Sequence, residues 1–211
     1  MTQTIILDFD GTIGDTRQLI VGTMQQTIAK LGLPARSDAQ CAAMIGLPLR
    51  QTFTDLIPMS EEMGEECDRT YTELFHQNNK AGAVPLFPHV KETIRELYAM
   101  GLTLTIASSR RRDTLLGFLK EMGLRQYISY IVSASDVSNA KPAPDMVEMI
   151  MSHTDAAPSD ILVVGDTKYD IMMGKAANTA TCGVTYGNGS VEELQDADYI
   201  IDDFGKLLDI V

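Results

Sequence analysis

The chain has 211 residues, of which 45% are hydrophobic and 22% charged, with a net charge of −12 and a pI near 4.6. This is the composition of an ordinary soluble globular protein, long enough for one large domain or one domain plus a small insert. The acidic balance argues against non-specific binding to nucleic acid or anionic membranes, but leaves room for an anionic substrate, because a local cation reverses the field inside a pocket.

In chain order, the first element is the apolar run Ile5-Ile6-Leu7, read as a buried strand, followed by Asp8-Phe9-Asp10-Gly11-Thr12. Alternate residues of a strand point the same way, so Asp8 and Asp10 leave its end on one side, and Gly11 lets the chain turn. Two carboxylates held close repel unless a cation sits between them. The pair suits a divalent metal, or one nucleophile beside one acid/base. Taken alone, it also reads as an acidic turn.

Asp15 or Thr16 is placed to cap a helix running to about Leu31, with the apolar stripe Ile20, Met24, Ile28 and Leu31, stopped by Gly32 and Pro34. Helical patterns follow near 38–45, 48–56 and 60–80, with no credible strand, and residues 81–85 read as a return linker. From there the pattern alternates. A helix at 88–100 precedes a strand at 102–107, and a helix at 111–122 precedes a strand at 130–133. A helix at 144–153 precedes a strand at 161–164, and a helix at 168–177 precedes a strand at 181–184. A short helix near 190–195, a strand at 198–201 and a helix at 204–210 finish the chain. The expectation is an α/β fold with a Rossmann-like, mostly parallel sheet covered on both faces. Its core is residues 1–13 and 84–211, and the helical insert is residues 14–83.

Sites in such sheets lie at the carboxyl ends of the strands. Four of those ends carry suitable residues: Asp8 and Asp10; Ser108-Ser109-Arg110; Asn139-Ala140-Lys141-Pro142; and Gly165-Asp166-Thr167-Lys168-Tyr169-Asp170. Each alone reads as a loop, a helix start or a solvated lysine, whereas four polar ends converging on one sheet edge read as one site. Of Arg110, Arg111 and Arg112, Arg110 falls close enough to touch substrate and the others belong to a solvated helix face. Cys41, Cys67 and Cys182 form no CxxC pair and are odd in number, which points to free thiols in a reducing cytoplasm. His76, His89 and His153 show no metal-ligand spacing. No stretch approaches the ~20 apolar residues of a membrane span, and no basic leader precedes the first strand, so no signal peptide is expected.

Together the four motifs, in order and over essentially the whole chain, resemble the haloacid dehalogenase superfamily in its phosphatase branch. The helical insert is similar to that superfamily's helical cap, with hinges at Asp15-Thr16 and at 81–86. The resemblance implies that Asp8 is the nucleophile forming an aspartyl-phosphate. Asp10 would be the general acid/base, its backbone carbonyl a metal ligand. Ser108 would bind the phosphoryl group, and Lys141 would place a charge on the phosphate and on Asp8. Mg²⁺ would be held by Asp8, Asp10 and Asp166, with Asp170 bound directly or through water. Mg²⁺ prefers hard oxygen ligands, and a metal with a lysine removes the repulsion between a carboxylate and an anionic phosphate. Thr12, Ser109 and Arg110 are further substrate-contact candidates.

Within the superfamily, Asp10 argues against carbon–halogen hydrolysis, since the dehalogenases lack that second acid. No cap lysine sits where phosphonoacetaldehyde hydrolases form a Schiff base. The β-phosphoglucomutases carry a histidine where this chain has Ile20, and an arginine with which Arg50 is out of register. Gly46-Leu47-Pro48-Leu49 and Pro85-Leu86-Phe87-Pro88 resemble phosphoglycolate phosphatases and related pyrophosphatases. Gly46, Arg50 and Gln51 are the cap candidates for substrate contact, although a cap turn and helix start explain them equally well. The expectation is a cytoplasmic Mg²⁺-dependent phosphatase acting on a small phosphorylated metabolite, as a monomer or homodimer. Pyrophosphatase and β-phosphoglucomutase-like phosphotransferase are the alternatives. A non-catalytic member would be expected to lack one of Asp8, Asp10, Lys141 and Asp166, all of which are present. A dinucleotide-dependent oxidoreductase would need Gly-x-Gly-x-x-Gly where the chain has Asp8 to Gly14.

Overall fold

The computed structural model describes residues 2–211. Six strands form one parallel sheet: β1 (Thr4–Leu7), β2 (Thr103–Ser108), β3 (Tyr130–Ser133), β4 (Ile161–Gly165), β5 (Ala180–Val184) and β6 (Tyr199–Ile201), in the order β3-β2-β1-β4-β5-β6. Neighbours pair in parallel throughout. The chain first winds outward from β1 through β2 to β3, then crosses to β4 on the other side of β1. The end of β1 therefore lies at the topological switch point, where loops diverge and leave a crevice.

Both faces of the sheet are covered, so the strands read as continuous apolar runs. Ile5, Leu7, Leu104, Ile106, Leu162 and Val164 face one buried core, which includes α5 (Val90–Ala99) and α6 (Arg112–Glu121). Ile6, Ala107 and Val163 face the other, under α7 (Asp145–Thr154) and α8 (Lys168–Ala176). Register aligns the strand ends: Leu7 pairs with both Ile106 and Val164, and Gly165 with Gly183.

Between β1 and α5 the chain is helical: α1 (Arg17–Lys30), α2 (Asp38–Ala42), α3 (Leu49–Leu56) and α4 (Glu61–Asn78). Here α1 packs on α4 and α2, and α3 on α4. Ser37 closes a capping box with Gln40, and the Ser60 hydroxyl accepts the Met63 amide, which fixes where α2 and α4 begin. The expected cap of α1 is not realised. Thr16 sits at the N-cap position with helical dihedrals, and its buried hydroxyl has no partner among the described residues, because a capping side chain needs an extended N-cap backbone to reach back to the first-turn amides. The two final segments read as helices are 3₁₀ turns, Glu192–Leu194 and Phe204–Asp209. An aromatic column joins the insert to the sheet layer: Phe53, Tyr71, Phe75, Phe118 and Phe9 follow one another at centroid spacings of 5.9, 5.7, 6.5 and 5.6 Å, within the range of favourable ring contacts.

Candidate active site

Asp8 follows β1 directly, and its amide still donates to the Val164 carbonyl at 2.9 Å. Its carboxylate is thus fixed by the sheet itself. Lys141, from the loop before α7, is fully enclosed and donates to Asp8 Oδ1 at 2.5 Å and to Asp170 Oδ1 at 2.6 Å. The second oxygen of Asp170 accepts the Thr167 amide at 3.0 Å and hydroxyl at 2.7 Å, so one acid both starts α8 and anchors the lysine. That approach requires Gly165, since a Cβ there would lie 2.2 Å from the Asp170 side chain.

Asp166 is completely buried. Its Oδ2 accepts from the Asn188 amide at 2.6 Å and side chain at 3.1 Å, and its Oδ1 from the Thr12 hydroxyl at 3.4 Å. Gly11 makes room for this: it adopts φ +92, and a Cβ would fall 2.0 Å from Asp166 Oδ2. One oxygen each from Asp8, Asp166 and Asp170 can be chosen within 4.8 Å of one another. Three buried acids against one lysine leave a local excess of negative charge. Burial pushes Asp8 up to about 7, opposed by Lys141 and reinforced by Asp170 and Asp10. Burial, Asp8 and Asp170 likewise push Asp166 well above the ordinary carboxylate range. Lys141 stays charged because Asp170 and Asp8 outweigh its own burial. The cluster lacks positive charge and offers only hard oxygens, which is the donor set a divalent cation such as Mg²⁺ takes.

Asp10 makes a different pair. Arg110, just beyond β2, grips it in a fork: Nε donates at 3.1 and 2.9 Å to the two carboxylate oxygens and Nη2 at 2.5 Å to Oδ1. The guanidinium lies 5.0 Å from the ring centroids of both Phe75 and Phe118. A delocalised cation stacks on aromatic faces and keeps its in-plane fork free for a carboxylate. Arg110 therefore ties the insert to the sheet at the site. The Asp10 backbone carbonyl faces the Asn188 amide group at 3.4 Å.

Asp8, Asp10, Ser108, Ser109, Arg110 and Gly46 line one cavity of about 100 Å³ between the sheet edge and the insert. Lys141, Asp166 and Asp170 stand behind it. Ser108 is enclosed, its hydroxyl accepting the Arg110 amide at 3.2 Å. Ser109 spans the cleft, donating to the Gly46 carbonyl of the insert at 2.6 Å. Gly46 has φ +106 and packs against Thr167 and Tyr169. Three expectations shift. Arg50 is not brought to the cavity: it lies across α4 toward Glu61 and Glu65, at 3.9 and 3.5 Å, because acids in the first turns of that helix compete for it. Its neighbour Gln51 bonds Asp55 on the same outer side. Thr12 does not line the cavity and is placed to orient Asp166 instead. Asn188 was missed by sequence reading, although it stands in Gly187-Asn188-Gly189 beyond β5, a fifth strand end on the same edge.

The chain matches the family model for haloacid dehalogenase-like hydrolases over residues 5–184. It is 32% identical over 211 residues to the pyrophosphatase PpaX of Oceanobacillus iheyensis, covering 99% of this chain and 96% of that one. A Bacteroides fragilis protein assigned as a haloacid dehalogenase-like hydrolase superposes with a TM-score of 0.92 at 25% identity, over 98% of this chain and all of the other. A predicted phosphoglycolate phosphatase from Haemophilus somnus superposes with a TM-score of 0.88 at 24% identity, over 99% and 97%, a likeness of fold.

Proposed function

The chain belongs to the haloacid dehalogenase-like hydrolase family, and on that premise we propose that it is a Mg²⁺-dependent phosphatase acting on a small phosphorylated metabolite through an aspartyl-phosphate on Asp8. The observation that carries this reading is the buried trio Asp8, Asp166 and Asp170 around Lys141, short of positive charge and set behind a cavity that Asp8 and Asp10 both line. Residues 1–13 and 84–211 form the catalytic core in this reading, and residues 14–83 the cap.

In the first step Asp8 attacks phosphorus, its carboxylate oxygen forms the new P–O bond, and the bond to the leaving oxygen breaks. Asp10 passes a proton to that oxygen. In the second step Asp10 takes a proton from a water that attacks phosphorus, releasing phosphate and restoring Asp8. Arg110 holds both oxygens of Asp10, so before the first step one oxygen leaves the fork, carries a proton and turns to the leaving group, and the proton taken from water in the second step restores that state. Ser108 binds the phosphoryl oxygens, with Lys141 held between Asp8 and Asp170 as the fixed positive charge nearest the reacting carboxylate. Asp8 and Asp166 would hold Mg²⁺, joined by the Asp10 carbonyl, with Asp170 held against Lys141 and Thr167. A cation held there would supply charge neutralisation. In-line positioning and neutralisation are most of what phosphoryl transfer requires.

The test is phosphate release from a panel of phosphoesters and pyrophosphate, with and without Mg²⁺, by wild type and Asp8→Asn. Mg²⁺-dependent release that falls roughly 10⁴-fold or more in the variant is expected for loss of a nucleophile. Equal release by both proteins would refute the reading. Pyrophosphate belongs in the panel because the Oceanobacillus relative bears the name pyrophosphatase.

A further inference from the structure

We propose that the substrate is a phosphomonoester whose leaving alcohol is small, uncharged and apolar, a narrowing that rests on the phosphatase reading above. Two observations meet in it. The first is the wall opposite Asp8 and Asp10, which is built from Ile20, Met24, Met44, Leu47, Leu49 and Phe75. The second is the state of the polar groups within reach, nearly all of which already have partners.

Apart from Ser108, which lies on the phosphoryl side, most hydroxyls lining the cavity already donate to protein acceptors. Thr52 donates toward the Pro48 carbonyl at 3.2 Å, Thr72 to Asp68 at 3.3 Å, and Thr114 to the Arg111 carbonyl at 3.0 Å. Ser109 is spent on the Gly46 carbonyl. The enclosed cations are committed as well, Arg110 to Asp10 and Lys141 to Asp8 and Asp170. Arg111 and His76 stand exposed at the rim, and Arg111 faces Asp113 at 3.7 Å. On the leaving-group side, Tyr71 alone among the described residues that line the cavity offers an uncommitted neutral hydroxyl, its proton held firmly by burial.

A second anionic group on the leaving side, a carboxylate or another phosphoryl, would enter an apolar wall with no enclosed counter-charge. An unpaired buried charge is costly, whereas an alkyl group gains from the same surface. Arg110 keeps a contact to Asp10 even when one oxygen turns to the leaving group, so its charge stays paired. The cavity of about 100 Å³ limits the alcohol to a few carbons.

The test compares kcat/KM with Mg²⁺ for n-butyl phosphate, 2-phosphoglycolate and pyrophosphate. Preference for n-butyl phosphate by on the order of tenfold or more is expected, the scale on which an apolar pocket discriminates. In Met44→Lys, which adds a cation at a half-buried wall position, the ratio of 2-phosphoglycolate to n-butyl phosphate should rise. Hydrolysis of 2-phosphoglycolate or pyrophosphate as good as or better than that of n-butyl phosphate overturns the inference and leaves the phosphatase reading standing. Release from none of the three by folded protein removes both.

Discussion

The two walls of the cleft are built on opposite principles. The sheet edge presents five charged side chains, Asp8, Asp10, Arg110, Lys141 and Asp166, each held by at least one named partner from a different strand end. The insert presents aliphatic and aromatic side chains, with most of its hydroxyls turned back onto their own backbone or helix. A charged wall needs rigid placement, since buried charges are tolerated only where partners are fixed, and a parallel sheet with aligned ends supplies it. An apolar wall needs only shape, and apart from Phe75, on which Arg110 stacks, its side chains can vary without disturbing the charges. In the proposed reading, recognition of the phosphoryl group is thereby separated from recognition of the rest of the substrate.

The largest break in this comparison comes from Lys141→Ala. It strands Asp8 and Asp170 in the interior, and removing one partner of a buried ion pair costs about 3–5 kcal/mol. Urea unfolding should show a loss of that size with phosphate release abolished. An equally stable variant would mean that the lysine is not the counter-charge of the cluster.

Asp166→Asn should act in the opposite direction on the metal-free protein. It removes one of three crowded carboxylates, and the Thr12 hydroxyl can rotate to accept from the new amide. A higher Tm without metal, together with loss of the Mg²⁺-dependent rise in Tm, is expected. For wild type that rise corresponds to about 2.7 kcal/mol at a hundredfold excess over Kd. Because burial lifts Asp8 to about 7 in the folded chain, against about 3.9 unfolded, its contribution to stability is complete below pH 4. That contribution fades as the pH rises through 7. The metal-free Tm should therefore fall between about pH 4 and 7 and level off above, and Mg²⁺ should offset the fall most at the upper end. A Tm independent of Mg²⁺ at pH 8 would contradict the charge-deficient cluster.

The smallest effect should come from Ser109→Ala, which removes the hydrogen bond to Gly46 across the cleft. A net hydrogen bond contributes about 1 kcal/mol, so KM should rise about fivefold with kcat little altered. A kcat loss matching that of Asp8→Asn would instead place Ser109 in the chemistry.

The fold was legible because its signals are local. Strand runs such as Ile161 to Val164 and helix stops such as Gly32 and Pro34 carry their own periodicity and punctuation, and the parallel order follows from strict β-α alternation. The acids and Lys141 were legible because strand ends must converge in such a sheet. What sequence could not give were contacts decided at a distance. Arg110 pairs with Asp10 a hundred positions away, between two rings from different helices. Arg50 turns outward because two glutamates of α4 face it. Thr16 loses its capping role to a backbone already helical at that position. Asn188 was within reach of the strand-end rule, but Gly187-Asn188-Gly189 carries no charge to mark it.

The most direct test of the central claim, that the charged wall transfers phosphate through Asp8, is covalent trapping. Wild type and Asp10→Asn would be mixed with a radiolabelled phosphoester and Mg²⁺, quenched in acid within one turnover, and followed for protein-bound label that hydroxylamine releases. The account predicts label on wild type, slower formation and slower loss of label in Asp10→Asn, where both proton transfers are lost, and none in Asp8→Asn. Label persisting in Asp8→Asn, or absent from wild type during active turnover, would contradict it.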